Sequence, residues 1–167
     1  MHETPADLVQ LQDLLDDTYE GAGTHVRAII TPERRQVAAD IAARLTGVRL
    51  LVLATVTADC RPLAGTVDGL FYRGQFWFGS SQNSVRFRHL RKRPQVSAVH
   101  YDGEEFSITV HGRAVEVDVE APENAGFRDF CVDIYGAEWT NWAAKAPYAR
   151  IDADKMFTFY LDPAELS

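Results

Sequence analysis

Apolar residues recur at helical spacing before residue 48, which predicts two N-terminal helices. The first spans Pro5 to Glu20 and has an apolar face that carries Leu8, Leu11 and Leu15. The second is predicted to open at Thr31-Pro32-Glu33 and to stop at Gly47, because threonine caps helices and proline fits the first turn. Its apolar face would carry Val37, Ile41 and Leu45. Val26 to Ile30, between the helices, is predicted to be extended.

From Val48 onward the apolar period shortens to about two residues, which is typical of β-strands. Six strands are predicted: Arg49–Thr57, Leu63–Tyr72, Gln75–Gly79, Val96–Tyr101, Glu105–Val110 continuing after a bend or bulge at Gly112 into Ala114–Val119, and Met156–Leu161. The first strand is largely apolar, so we expect it to be buried on both faces. Arg73-Gly74 and Asp102-Gly103 are tight turns that make neighbouring strands antiparallel.

These elements predict a mainly β protein of the α+β class, with a six-stranded antiparallel barrel and flanking helices. Residues 1–47 would form a helical extension that packs on a barrel of residues 48–167, in one domain overall. Side chains expected in the barrel interior are Phe71, Phe76, Trp77, Phe78, Phe106, Ile108, Val110, Val115, Val117 and Val119. Between Ala121 and Ala149 the pattern indicates helix mixed with irregular structure.

Composition and charge narrow the classes of partner. The net charge is −7, from 17 basic and 24 acidic residues, which argues against general affinity for nucleic acid or an anionic membrane. The first residues, MHETPADLVQ, lack the pattern of a signal peptide, and no apolar run is long enough to span a bilayer. Cys60 and Cys131 have no metal-site or redox spacing. We therefore expect a cytoplasmic protein.

Positive charge is concentrated after one small polar loop. Five of the 17 basic residues are Arg86, Arg88, Arg91, Lys92 and Arg93, and they follow the loop Gly79-Ser80-Ser81-Gln82-Asn83-Ser84. Glycine and serine let a ligand approach the backbone, and guanidinium groups bind phosphate oxygens. The stretch is thus a candidate phosphate cradle. The alternative is a solvated basic helix face whose serines only cap the helix.

Several segments resemble one known family. They are LATVTADCRP, GTVDGLFYRGQFWFGSS, Ser84–Leu90 and Arg93–Val96. The positions that match the pattern of this family are Ser80, Ser81, Ser84, Arg86, Leu90 and Pro94. In these residues the chain resembles the pyridoxamine 5′-phosphate oxidase-like flavin proteins, which have the FMN-binding split-barrel fold.

The resemblance implies a flavin-dependent oxidoreductase that transfers hydride between bound FMN and a small molecule of unknown identity. Arg86 would bind the cofactor phosphate with Ser80, Ser81 and Ser84 beside Gly79, and the backbone of Thr66, Val67 and Asp68 would face the ring edge. It also implies a homodimer with the cofactor at the interface, where an aromatic residue of the second subunit helps to close the site. Trp139 is the candidate for that residue, and no catalytic residue is named.

Three departures from the family pattern affect this interpretation. Arg86 replaces a lysine, Cys60 replaces a frequent turn glycine, and Asp68 places a carboxylate near the expected ring. The carboxylate would repel an anionic reduced flavin or orient a substrate.

The sequence is also compatible with other cofactors and with a function that is not catalytic. A deazaflavin coenzyme is an alternative to FMN, and a non-catalytic flavin- or haem-binding protein is an alternative to an enzyme. His89, His100 or His111 would be the candidate haem ligands. His100 and His111 lie on adjacent predicted strands, but the sequence suggests no third metal ligand, so no metal site is predicted.

Overall fold

The computed structural model describes residues 2–143, 145–162 and 164. Its helices are α1 (Pro5–Glu20), α2 (Thr24–Ile29), α3 (Ala38–Arg44), α4 (Val85–Leu90), α5 (Ala125–Tyr135) and α6 (Trp139–Ala143), with 3-10 turns at Pro32–Arg34 and Pro122–Asn124. Its strands are β1 (Val48–Val56), β2 (Pro62–Tyr72), β3 (Gln75–Gly79), β4 (Gln95–Asp102), β5 (Phe106–Val117) and β6 (Tyr148–Tyr160). Within these ranges, no helix is both long and apolar enough to cross a membrane.

The six strands close into an antiparallel barrel in the order β1-β2-β3-β6-β5-β4, which confirms the predicted fold class. β5 and β6 form the longest ladder, and its register shifts between His111 and Gly112. A Cβ on Gly112 would lie 2.8 Å from the Cα of Ala153, so only glycine fits at this crossing. The predicted irregularity at Gly112 is confirmed.

Two apolar clusters lie on opposite faces of the barrel wall. The inner cluster fills the barrel and continues into α1 and α3; it includes Leu11, Leu15, Ile41, Leu45, Leu53, Phe71, Phe76, Phe78 and Ile108. The outer cluster joins the sheet to α5 and α6; it includes Leu70, Tyr72, Trp77, Phe127, Phe130, Cys131, Trp139 and Tyr148. Successive strand side chains point to opposite faces, so Trp77 belongs to the outer cluster and not to the predicted barrel interior.

Two expectations for the N-terminal helices are wrong. Residues Val26 to Ile29 belong to helix α2 and are not extended. The predicted second helix is interrupted between its 3-10 turn and α3. Tertiary hydrogen bonds explain the interruption: the Gln36 N–H donates to Thr158 Oγ1 at 3.0 Å, and the Ala38 N–H donates to Gln12 Oε1 at 2.9 Å.

Three strands also differ from expectation. Burial alternates along β1: Leu51 and Leu53 are buried, whereas Leu50 is 61% exposed. Only one face of this strand is therefore covered. β6 begins at Tyr148, well before the predicted start. In β5, inward side chains continue through Val110 to Ala114, and Val115 and Val117 lie on the outer face. The extra residue of the bulge is Asp154 on β6. Side chains of β5 therefore keep alternating between the inner and outer faces through the bulge.

Candidate functional site

The site lies where β2 separates from its neighbour on one side. β2 pairs with β1 from Pro62 to Leu70, but with β3 only from Gly69 to Tyr72. Residues 62–68 therefore have one strand neighbour and leave backbone groups on the other edge, as the split in the barrel requires.

Arg86 fills part of this split. Its Nη2 donates to the carbonyl oxygen of Thr66 at 3.1 Å and approaches that of Gly65 at 3.5 Å. The side chain is half-buried, and burial lowers the pKa of Arg86, although a guanidinium stays charged in proteins. Among the described residues, no carboxylate lies within ion-pair distance of Arg86. A cation held in this way has donors left for an anionic ligand.

The serines of the β3–α4 loop lie close to this cation in the chain. Ser84 caps α4, because its Oγ accepts from the Phe87 N–H at 3.2 Å, as the alternative interpretation of the serines expects. Capping uses an oxygen lone pair and leaves the hydroxyl hydrogen available to another acceptor. The Ser84 N–H donates to the Ser81 carbonyl at 3.0 Å and tightens the loop.

A cavity of about 400 Å³ adjoins the loop, a volume typical of small-molecule sites. Its wall is formed by Asp68, Leu70, Gly79, Ser80, Ser81, Gln82, Tyr135, Lys145, Ala146 and Tyr148. The elements that meet there are β2, the end of β3, the end of α5 and the start of β6. Four of the residues predicted from the sequence, Asp68, Gly79, Ser80 and Ser81, thus share one cavity.

Tyr148 packs directly against the backbone of β3. A Cβ on Gly79 would come within 2.8 Å of two ring carbons of Tyr148, so the ring needs glycine at this position. The indole Nε1 of Trp139 donates to the Tyr148 hydroxyl at 2.9 Å and holds the ring in place. Burial raises the pKa of Tyr148 far above its ordinary value and that of Tyr135 to about 12, and the negative charge of Asp68 adds to both shifts.

The cavity wall does not include the remaining predicted residues, which are Thr66, Val67, Ser84, Arg86 and Trp139. Thr66 points outward and contacts Arg86 through its carbonyl oxygen, whereas the Val67 side chain turns into the barrel core and leaves only its backbone near the split. Trp139 is 0% exposed in its own chain and is connected to the cavity through Tyr148. Its contact with a cofactor stays a prediction.

The sequence interpretation missed the contribution of the last strand and of α5. Tyr148 was missed because β6 was predicted to begin at Met156, and Lys145 was missed because it lies in the stretch predicted to be helix mixed with irregular structure. The signal was present in the alternation of Tyr148, Ala149, Arg150 and Ile151, where Ala149 and Ile151 are buried in the barrel.

A second cleft, of about 480 Å³, lies between α1, the β2–β3 turn and the start of α5. Arg73, Trp77 and Arg150 are in its wall, but none of the predicted site residues is. The larger volume alone does not favour it over the cavity beside the serine loop.

The histidines considered for haem or metal each have a partner at Nδ1. His89 Nδ1 lies 3.0 Å from Thr55 Oγ1, His100 Nδ1 lies 3.0 Å from the Leu50 carbonyl, and His111 Nδ1 lies 2.8 Å from Ser97 Oγ. In the described ranges, no group of three or more His, Cys, Asp or Glu side chains is placed to hold a metal ion.

The family model described as pyridoxamine 5′-phosphate oxidase matches residues 37–165, which include the barrel and the loop beside the cavity. The chain belongs to the pyridoxamine 5′-phosphate oxidase family. None of the curated proteins matches it.

Solved structures of similar fold include a conserved hypothetical protein from Mycobacterium tuberculosis, with 22% identity and a TM-score of 0.63 over 77% of this chain and 88% of that one. An FAD-binding protein from Mesorhizobium loti has 19% identity and a TM-score of 0.60, over 77% and 98% of the two chains. The haem storage protein HutZ from Vibrio cholerae has 18% identity and a TM-score of 0.59, over 78% and 94%. At such identities the similarity shows the fold alone.

Proposed function

We propose that this protein binds FMN at the split of the barrel and uses it as an oxidoreductase that acts on a small molecule. The observation that carries the proposal is the combination of the half-buried Arg86, which has no described carboxylate partner, with a cavity that begins at the adjacent serine loop. A phosphate needs donors, and a ring system needs an enclosed volume beside them.

The residues present fit a flavin phosphate and ring. Arg86 and the hydroxyls of Ser80, Ser81 and Ser84 would hold the phosphate, and the split edge of β2 at Thr66, Val67 and Asp68 would face the ring. Bound flavin supplies the hydride-transfer chemistry, and the protein supplies position and electrostatics.

We further propose that two copies associate through the outer face of β1 and β4. Leu50 is 61% exposed and Tyr101 is 63% exposed, and the half-buried Val52 and Val99 are partners across the two strands. Exposed apolar patches of this kind mark interfaces. Because Leu50 is opposite Asp68 on β2, this face borders the proposed flavin site.

An absorption spectrum tests the class of cofactor. The purified protein is incubated with FMN, with a deazaflavin coenzyme or with haem, and excess ligand is removed. We expect retained FMN with its two visible bands. A single deazaflavin band would show that the cofactor is the deazaflavin coenzyme and not FMN. A protein that retains neither cofactor would contradict the proposal.

Substitution of Arg86 by Ala tests the phosphate site. Removal of a charge-assisted hydrogen bond should weaken FMN binding by about 1.5–3 kcal/mol, roughly 10- to 150-fold in Kd. Arg86→Lys keeps the charge and should lose less. Arg88→Ala removes an exposed cation from the same helix and is the matched control. Equal FMN affinity of the Arg86→Ala and Arg88→Ala proteins, measured by fluorescence titration, would refute the assigned role.

Non-catalytic haem binding is the second candidate, and it is favoured by the structural similarity to HutZ and to a haem-binding protein from Mycobacterium smegmatis. Of the three candidate histidines, His89 is the closest in sequence to Arg86, and both residues lie on α4. Its Nδ1 is engaged with Thr55, so iron would bind at Nε2. A Soret band that His89→Ala abolishes would support this function over the flavin proposal.

A further inference from the structure

The cavity at the proposed flavin site contains two opposite charges, Asp68 and Lys145, and no role has been given to the lysine. Asp68 enters from β2, and Lys145 enters from the segment that precedes β6. Both side chains are exposed, and neither forms an ion pair with any described residue. No ion pair within the described part of the chain thus neutralises either charge.

The rest of the wall carries no other formal charge. Leu70 and Ala146 are apolar, and the two phenols, Tyr135 and Tyr148, stay neutral because burial raises their pKa values. Asp68 lines the same cavity as both phenols, and its negative charge adds to both shifts. A ring bound against this wall would displace water from the space between itself and the two charges, and their interaction with the ring would strengthen as a result.

We propose that Lys145 and Asp68 act in opposite directions on the reduction potential of the flavin bound in this cavity. The inference rests on the proposed function. Two-electron reduction with uptake of one proton leaves a negative charge on the flavin ring. The Lys145 ammonium stabilises that charge and raises the potential, whereas the Asp68 carboxylate repels it and lowers the potential.

The opposite directions of the two expected potential shifts distinguish an electrostatic role of these residues from a purely structural one. A residue that only shapes the cavity would change the affinity for oxidised and reduced flavin together. A charge that acts on the reduced ring changes their ratio, and a tenfold change in that ratio corresponds to about 30 mV for a two-electron couple.

The test is the midpoint potential of FMN bound to the full chain, titrated with dithionite as electron donor against a reference dye. Lys145→Gln should favour oxidised over reduced FMN by threefold or more relative to the unmodified protein, and Asp68→Asn should do the reverse. The double variant should return close to the original potential. Lys155→Gln and Asp154→Asn remove the same charges from exposed β6 positions outside the cavity wall, so neither should shift the potential.

Three results would overturn the inference: no shift in either cavity variant, shifts in the same direction, or equal shifts in the controls. A cavity variant that loses affinity for oxidised and reduced FMN alike also contradicts it. If the unmodified protein takes up no FMN, the proposed function fails first and this inference fails with it. If FMN binds normally and the potentials are unchanged, only this inference fails.

Discussion

Among the residues that the structure describes, two that are not glycine have a positive φ: Cys60 at 61° and Arg73 at 51°. Arg73 precedes Gly74, which also has a positive φ, in the tight β2–β3 turn that requires this geometry. Cys60 lies in the β1–β2 turn, where Thr57 Oγ1 accepts from the Arg61 N–H at 2.9 Å and holds the chain in place. An L side chain crowds the backbone at positive φ, so the turn stores strain at the position where the family resemblance led us to expect glycine.

Cys60→Gly should therefore stabilise the protein. Relief of the left-handed strain, about 1–2 kcal/mol, exceeds the extra entropy of an unfolded glycine, about 0.4–1 kcal/mol, and leaves a gain of about 0.5–1 kcal/mol. Urea denaturation measures this free energy of unfolding. Ala58→Gly, in the same turn but without a positive φ, should give no gain; equal effects of the two substitutions would contradict the explanation.

At the scale of elements, α1 is attached to β6 by a buried hydrogen-bond cluster. The Tyr19 hydroxyl donates to the Thr158 carbonyl at 2.9 Å and accepts from the Thr158 N–H at 2.8 Å, and the Met156 N–H donates to Thr18 Oγ1 at 3.0 Å. α1 thus satisfies backbone groups of the barrel in addition to covering Leu11 and Leu15.

Tyr19→Phe should lower the free energy of unfolding by about 1–3 kcal/mol, because it leaves the buried Thr158 groups with fewer partners. Val9→Ala changes a side chain on the same helix that is 60% exposed and lies outside the proposed dimer face, and it should have an effect within about 0.5 kcal/mol. Thermal and urea unfolding measure both effects. A Tyr19→Phe protein as stable as the Val9→Ala control would show that α1 is held by apolar packing alone.

At the scale of the whole molecule, the proposed dimer gives Leu50 a partner surface. Leu50→Glu should place a charge in the apolar contact, convert the dimer to monomers and weaken FMN retention, because the proposed site borders that face. Val9→Glu is the matched control, since Val9 is 60% exposed on α1, away from β1 and β4. Size-exclusion chromatography with light scattering measures the mass. A dimeric Leu50→Glu protein would contradict the proposed interface.

Most of the fold was predictable because its signals are local. The shift in apolar period at Val48 marked the change from helices to strands, and Arg73-Gly74 and Asp102-Gly103 marked two hairpins that the barrel contains. The start of β6 was not predictable from the alternating Phe157 and Phe159 alone. A bulge at Asp154 separates that run from the first half of the strand, so the two halves do not share one continuous period.

The proposed phosphate cradle is local and could be predicted from the chain, because Ser80, Ser81, Ser84 and Arg86 lie on one loop and the helix that follows it. The cavity beside it could not be predicted from the chain. Asp68, Tyr135, Lys145 and Tyr148 are far apart in sequence, and they meet only because β3 pairs with both β2 and β6 and α5 packs on the outer face. Residue types and periods thus decided which elements form, whereas strand pairing, which joins distant segments through backbone hydrogen bonds, decided which charges surround the site.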